Sequence, residues 1–211
     1  MKDPSINAYM LFLVLVYLVQ VVYEFPILIV APWGYPPQWG LVEYDVRLKR
    51  KPLDRVHFKC KSCSSTIALL ASLLKHGFTN VHLAIIGVDT RVKPNSKGDY
   101  RKTVMERYKG DFKTLIDKTI EVNEFDEVLG RRLKAYGNGD SRVSFIIIPG
   151  VGIYYGYDYR GDIDQIFLTI YSRLLGVLER SELSKAMVVL DLTHGINYQT
   201  VITLYAVELH S

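Results

Sequence analysis

The stretch VVLDLTHGINYQTVITLYAV, Val188 to Val207, decides the fold. An apolar run that suits a buried strand meets Asp191-Leu192-Thr193-His194-Gly195. After Ile196 and Asn197-Tyr198 the apolar residues resume at helical spacing. A polar turn between two buried elements is where an open α/β sheet places its ligand, outside the carboxyl ends of the strands.

The same pattern recurs upstream. PILIVAPWG, Pro26 to Gly34, is a continuous apolar run closed by a turn, the signature of a strand buried on both faces. YPPQWGLVEYDVRLKRK then reads as a loop and a strand with an exposed basic end. From Ser64, SSTIALLASLLKHGFTN has helical spacing, with Ser or Thr to cap the start and Gly77 to end it. VHLAIIGVDT is the next strand, ending in Asp89-Thr90. Tyr100 to Leu133 suits one or two surface helices, and YGNGD is a turn. Val143 to Ile148 is a further strand that leads into a Gly-rich and Tyr-rich loop, Asp162 to Arg180 is helical, and KAMVVLDL is the last strand. Strands alternating with helices predict an α/β fold with a Rossmann-like, mostly parallel sheet and flanking helices.

Composition bounds the remainder. A chain of 211 residues, 49% hydrophobic, fits one well-buried domain plus an appendage. The net charge is only +4, but it is unevenly spread. Seven Lys or Arg lie between Arg47 and Lys61, and a second basic stretch with interspersed acids runs from Arg91 to Lys118. Such runs favour anionic partners, and the plain alternative is a solvated loop. Cys60 and Cys63 form a single CxxC, too little for a disulfide-stapled fold and two ligands short of a zinc site; plain thiols are expected, with a redox pair as the alternative. Residues 4 to 23 carry no charge and as a helix would span about 30 Å. They can form a membrane anchor or a packed hydrophobic extension, or come from an upstream start; residues 1–24 are set apart from a domain at 25–211.

In a parallel sheet the strand ends lie side by side. The expected ligand rim therefore gathers Trp33 and Gly34, Asp89 and Thr90, Gly150 and Gly152, and Thr193, His194 and Gly195. Two helix starts would point N–H groups at it, one at Ser64, Ser65 and Thr66 and one at Asn197 and Tyr198, and helix N-termini attract phosphate. Trp33, Tyr198 or the tyrosines from Tyr154 to Tyr159 would stack on bases. His194 could act as a general base or simply hold its own turn. No G-x-G-x-x-G joins the first strand to a helix, which argues against NAD or FAD, and no cofactor is expected.

These residues resemble a known family. DLTHGIN, Asp191 to Asn197, is similar to the Asp-x-Thr-His-Gly motif of the CRISPR-associated DxTHG proteins, whose amino-terminal part is a CARF domain. IVAPWG and IIIPGVG are similar to that family's strand ends, in the same order. The resemblance covers Pro26 to Ser211. It implies a cytoplasmic antiviral sensor of type III CRISPR systems, tethered to the membrane if residues 4–23 are an anchor. The sensor would dimerise and bind cyclic oligoadenylate, cyclic tetra-adenylate first among the rings, in the dimer groove, with no direct DNA binding. The family usually continues into a helical HEPN ribonuclease domain with an Arg-x4-6-His motif. Here Arg50 to His57 has the spacing, but Pro52 interrupts any helix, so the chain is expected to lack that effector and its ribonuclease activity. Two alternatives stay open. One is a ring nuclease using Thr193, His194, Ser64 and Ser65; the other is an unrelated phosphate-binding α/β enzyme.

Overall fold

The first strand, β1 (Ile27–Trp33), is buried at every position because both of its faces are covered. Ile27, Ile29, Ala31 and Trp33 enter one hydrophobic cluster, while Leu28 and Val30 enter another on the opposite side. Each fully buried Ile or Leu contributes roughly 1.5–3 kcal/mol of transfer free energy. The structure, a computed structural model, describes residues 25–93, 99–180, 183 and 185–209, the side chains of Arg180 and Asn197 excepted.

Three strands join β1 in a parallel sheet: β4 (Val81–Val88), β5 (Val143–Ile148) and β8 (Met187–Leu190), in the order β5-β4-β1-β8. The helices α1 (Ser65–Lys75), α2 (Tyr100–Glu121) and α3 (Glu127–Gly137) cover one face. The other face is covered by α4 (Ile163–Arg180) and α5 (Asn197–Glu208). Right-handed crossovers explain the segregation, since the chain moves from β1 outward to β4 and β5, then returns to the far side of β1 at β8. The winding direction therefore reverses between β1 and β8, and that switch point is where such sheets bind ligands. The Rossmann-like fold expected from the sequence is the fold observed.

Two hairpins refine that expectation. In place of one strand with a basic end, β2 (Val42–Arg47) pairs antiparallel with β3 (His57–Ser62). Its alternation turns Tyr44, Val46, Phe58 and Cys60 toward the body and Asp45, Arg47, Lys59 and Lys61 outward. The Gly-rich and Tyr-rich segment is likewise a hairpin, β6 (Val151–Tyr154) and β7 (Tyr157–Arg160). Its turn is Tyr155-Gly156, both with positive φ (53° and 78°), the backbone that two-residue hairpins need and that glycine adopts most readily. The stretch Tyr100 to Leu133 is indeed two helices, yet they bury Val104, Tyr108, Phe112, Leu115, Ile116, Leu129 and Leu133. The break between them is set by Asp126, whose carboxylate caps α3 by accepting from the Leu129 N–H at 2.9 Å. Among the described residues no helix is long and apolar enough to cross a membrane. Residues 4–23, the expected anchor or extension, lie outside them.

Candidate functional site

At the end of β8, Asp191 extends the ladder by one bond, its N–H donating to Val30 at 3.0 Å, and its carboxylate turns inward. Ser65 Oγ lies 2.9 and 2.7 Å from the two carboxylate oxygens, and Thr66 Oγ1 donates to Oδ2 at 2.6 Å. The Thr193 N–H, at 3.3 Å, closes the turn on the same group. Thr66 Oγ1 in turn accepts from the Trp33 indole N–H at 3.0 Å. One buried carboxylate thus ties together the last residue of β1, the first turn of α1 and the end of β8. A negative group there is also favoured by the α1 dipole.

His194 makes the second tie. Its Nε2 accepts from the Ser65 backbone N–H at 3.1 Å, with the Tyr44 hydroxyl 3.4 Å away, so the neutral ring carries its proton on Nδ1. The Trp39 ring stacks on the imidazole at 4.0 Å. The His194 carbonyl accepts from the Gly34 N–H at 2.9 Å, fastening the turn to the end of β1. Gly195 is required by close approach: a Cβ there would lie 2.5 Å from Thr200 Oγ1 and 2.9 Å from the Pro32 ring.

Burial pushes the His194 pKa down, and the nearby Asp191 charge only partly opposes this. His194 is therefore expected to titrate below the ordinary 6.5 when its ring protons are followed by NMR. The native state disfavours the protonated ring. Its share of stability is complete above 6.5 and is lost as pH falls from there toward the lowered native value. His82 is shifted the same way, by burial and then Arg142, so the readout must be residue-resolved. A His194 midpoint at or above 6.5 would contradict the acceptor role.

Several of the expected site residues are buried or already bonded within the protein. Trp33 has no exposed surface, so its ring offers no face for a base. Thr66 is buried and Ser65 is committed to Asp191 and His194, so these two groups at the start of α1 already serve the protein's own contacts, while Ser64 is buried and its Oγ has no hydrogen-bond partner among the described residues. His194 holds α1 as well as its own turn. The sequence's one Arg-x6-His spacing, Arg50 to His57, runs from a loop into β3 and not along a helix. Cys60 and Cys63 are free thiols, both buried, and burial pushes Cys60 up to about 11, which suits inert packing and not redox exchange.

Other expected residues do meet at the carboxyl edge. The Asp89 carboxylate accepts from the Gly150 N–H at 2.8 Å, linking the ends of β4 and β5, and burial raises its pKa. Thr90 is buried beside it, packed where a Cβ on Gly150 would fall. Gly152 is half-buried at the start of the hairpin. Tyr198, half-buried at the start of α5, is pushed up to about 12 by burial, with Tyr154 and Asp89 adding to the shift and the Val151 N–H opposing it. Thr193 is exposed at the centre of the turn, and Gly34 lies under it. The start of α5 follows directly on the turn. Gln199 caps the Ile196 N–H at 3.0 Å, and the first-turn N–H groups that follow have no intrahelical acceptor.

Sequence reasoning missed a cavity of about 440 Å³ on this edge, lined by Tyr35, Arg91, Arg107, Tyr155 and Tyr157 among others. The Arg91 guanidinium, buried and paired with Asp111, lies 4.4 Å from the Tyr35 ring centre, and its Nε has no hydrogen-bond partner. The signal was present in the basic run from Arg91 and in the tyrosines near Tyr154. A larger cavity, about 670 Å³, lies along the outer edge of β5 between α2 and α4, away from the switch point. Among the described residues no group of His, Cys, Asp and Glu could hold a metal ion.

A family model for the CARF domain of the CRISPR system endoribonuclease Csx1 matches residues 28–211. A search of curated proteins returned no match.

Proposed function

The chain belongs to the Csx1 CARF-domain family, and we propose that it is the sensor of a CRISPR system, binding cyclic oligoadenylate at the carboxyl edge of its sheet. The observation that carries this reading is the position of the Asp191–Asn197 turn at the β1/β8 switch point, with exposed Thr193 shortly before the start of α5. The first-turn N–H groups of α5 meet a phosphate, and Tyr198 with the hairpin tyrosines meets adenines. Arg91 and Arg107 supply positive charge in the adjoining cavity.

A cyclic tetra-adenylate has internal symmetry, so two copies of one surface can grip it. The face that supports pairing is the outer side of α5, where Val201, Leu204 and Tyr205, at helical spacing on one face, are 52%, 37% and 60% exposed. Clustered apolar surface of this kind marks an interaction site. Ring cleavage gains no support from the same groups. The His194 Nε2 lone pair is occupied by the Ser65 N–H, Ser64 is buried, and Ser65 already serves Asp191, which leaves Thr193 alone of the four candidates.

Calorimetric titration with cyclic tetra- and hexa-adenylate tests the reading. Micromolar or tighter binding of the tetra-adenylate ring is expected, with a loss of a hundredfold or more in a Thr193→Ala, Tyr198→Ala variant. Equal binding by that variant moves the site elsewhere, and no binding of either ring removes the reading.

A further inference from the structure

The charge of this chain is not spread over its surface. Between Val42 and Ser62 there are seven Lys or Arg against three acids, Glu43, Asp45 and Asp54, so the β2–β3 hairpin is one of two strongly basic stretches and carries a net +4 within a single hairpin. The basic side chains Arg47, Lys49, Arg50, Lys51, Arg55, Lys59 and Lys61 are all exposed. Asp45 neutralises part of the strand region, since Arg47 bonds it at 2.8 Å and Lys59 lies 3.8 Å away. Lys49, Arg50, Lys51 and Lys61 have no acidic partner among the described residues.

The tip that presents Lys49-Arg50-Lys51 is also built, not loose. Leu53 and Val56 plug into the main core at 3% and 1% exposure. Backbone bonds from Leu48 to Val56 (3.1 Å), Leu53 to Arg50 (2.8 Å) and Val56 to Leu53 (2.9 Å) close the loop. Apolar residues of the loop point in and cations point out, so holding the charges together costs little further ordering on binding.

We propose that this hairpin is a second binding surface, for the phosphate backbone of double-helical nucleic acid. Three features select that partner. The density of unpaired cations matches a polyanion better than a single phosphate. The tip exposes no aromatic ring, so bases cannot stack on it, and a duplex, with its closely spaced phosphates, is bound at least as well as a single strand. Finally, the tip carries no exposed apolar side chain beyond Pro52, which leaves nothing to insert into a lipid surface. The surface uses none of the ring-contacting residues and stands or falls apart from them. It departs from the expectation, drawn from the family resemblance, that the chain makes no direct contact with DNA.

Fluorescence anisotropy with a labelled random-sequence DNA duplex tests the proposal. With about four phosphates neutralised, the logarithm of the binding constant should fall against log salt with a slope of about −3.6. A Lys49→Glu, Arg50→Glu, Lys51→Glu variant should weaken binding tenfold or more and flatten the slope. A Lys49→Gln, Lys51→Gln variant should fall between. A charge-matched control on α2, Lys102→Glu, Lys113→Glu, Lys118→Glu, should leave affinity within threefold of the parent. Equal weakening by the control, no duplex binding at low salt, or binding only to phosphatidylserine vesicles would each overturn it.

Discussion

Replacing Asp191 by alanine is expected to destabilise the domain by about 2 to 4 kcal/mol, the range for removing a buried, multiply hydrogen-bonded charge. The carboxylate accepts from Ser65, Thr66 and the Thr193 N–H, and its loss leaves two hydroxyls in a largely buried setting without an acceptor. Asparagine keeps one of the two acceptor oxygens and should cost less than alanine. Thr193→Ala, at an exposed position whose side chain holds no hydrogen bond among the described residues, should stay within about 0.5 kcal/mol of the parent. Denaturant titration separates these outcomes, with a shifted midpoint at unchanged slope. An alanine variant as stable as the parent would show that the tie between β8 and α1 is not what holds the turn.

The second large effect concerns pairing of two chains. A Leu204→Asp, Tyr205→Asp variant places two charges on the exposed apolar face of α5, where Leu204 is 37% and Tyr205 60% exposed. Both side chains lie outside the core clusters, so the fold should survive while the self-complementary face is lost. Sedimentation velocity should find the parent dimeric at micromolar concentration and the variant monomeric. Affinity for the tetra-adenylate ring should fall a hundredfold or more with it, because half of the contacts leave. A monomeric parent that binds the ring as tightly as before would refute the shared groove.

Much of the frame was legible because burial on both faces writes continuous apolar runs, as in Ile27–Trp33 and Val81–Val88. The hairpins were harder to read. β6 and β7 are four residues each, half polar, and joined at a Tyr-Gly turn that in one dimension looks like loop. Continuous burial could have placed Trp33: it ends a strand covered on both faces and shares a face with Ile27, Ile29 and Ala31, so its ring packs into the core. The role of Ser65 and Thr66 was not readable locally, since their partner Asp191 is more than a hundred residues away and a cap is the nearer explanation for Ser-Ser-Thr. Within the motif the structure exchanges emphasis. Asp191 and His194 hold the turn, and Thr193 is exposed.

The most direct test of the central claim is the stoichiometry of the calorimetric titration with cyclic tetra-adenylate. Saturation at one ring per two chains, abolished by Thr193→Ala, Tyr198→Ala, is the predicted result. Saturation at one ring per chain, or binding that the double variant leaves intact, would contradict it.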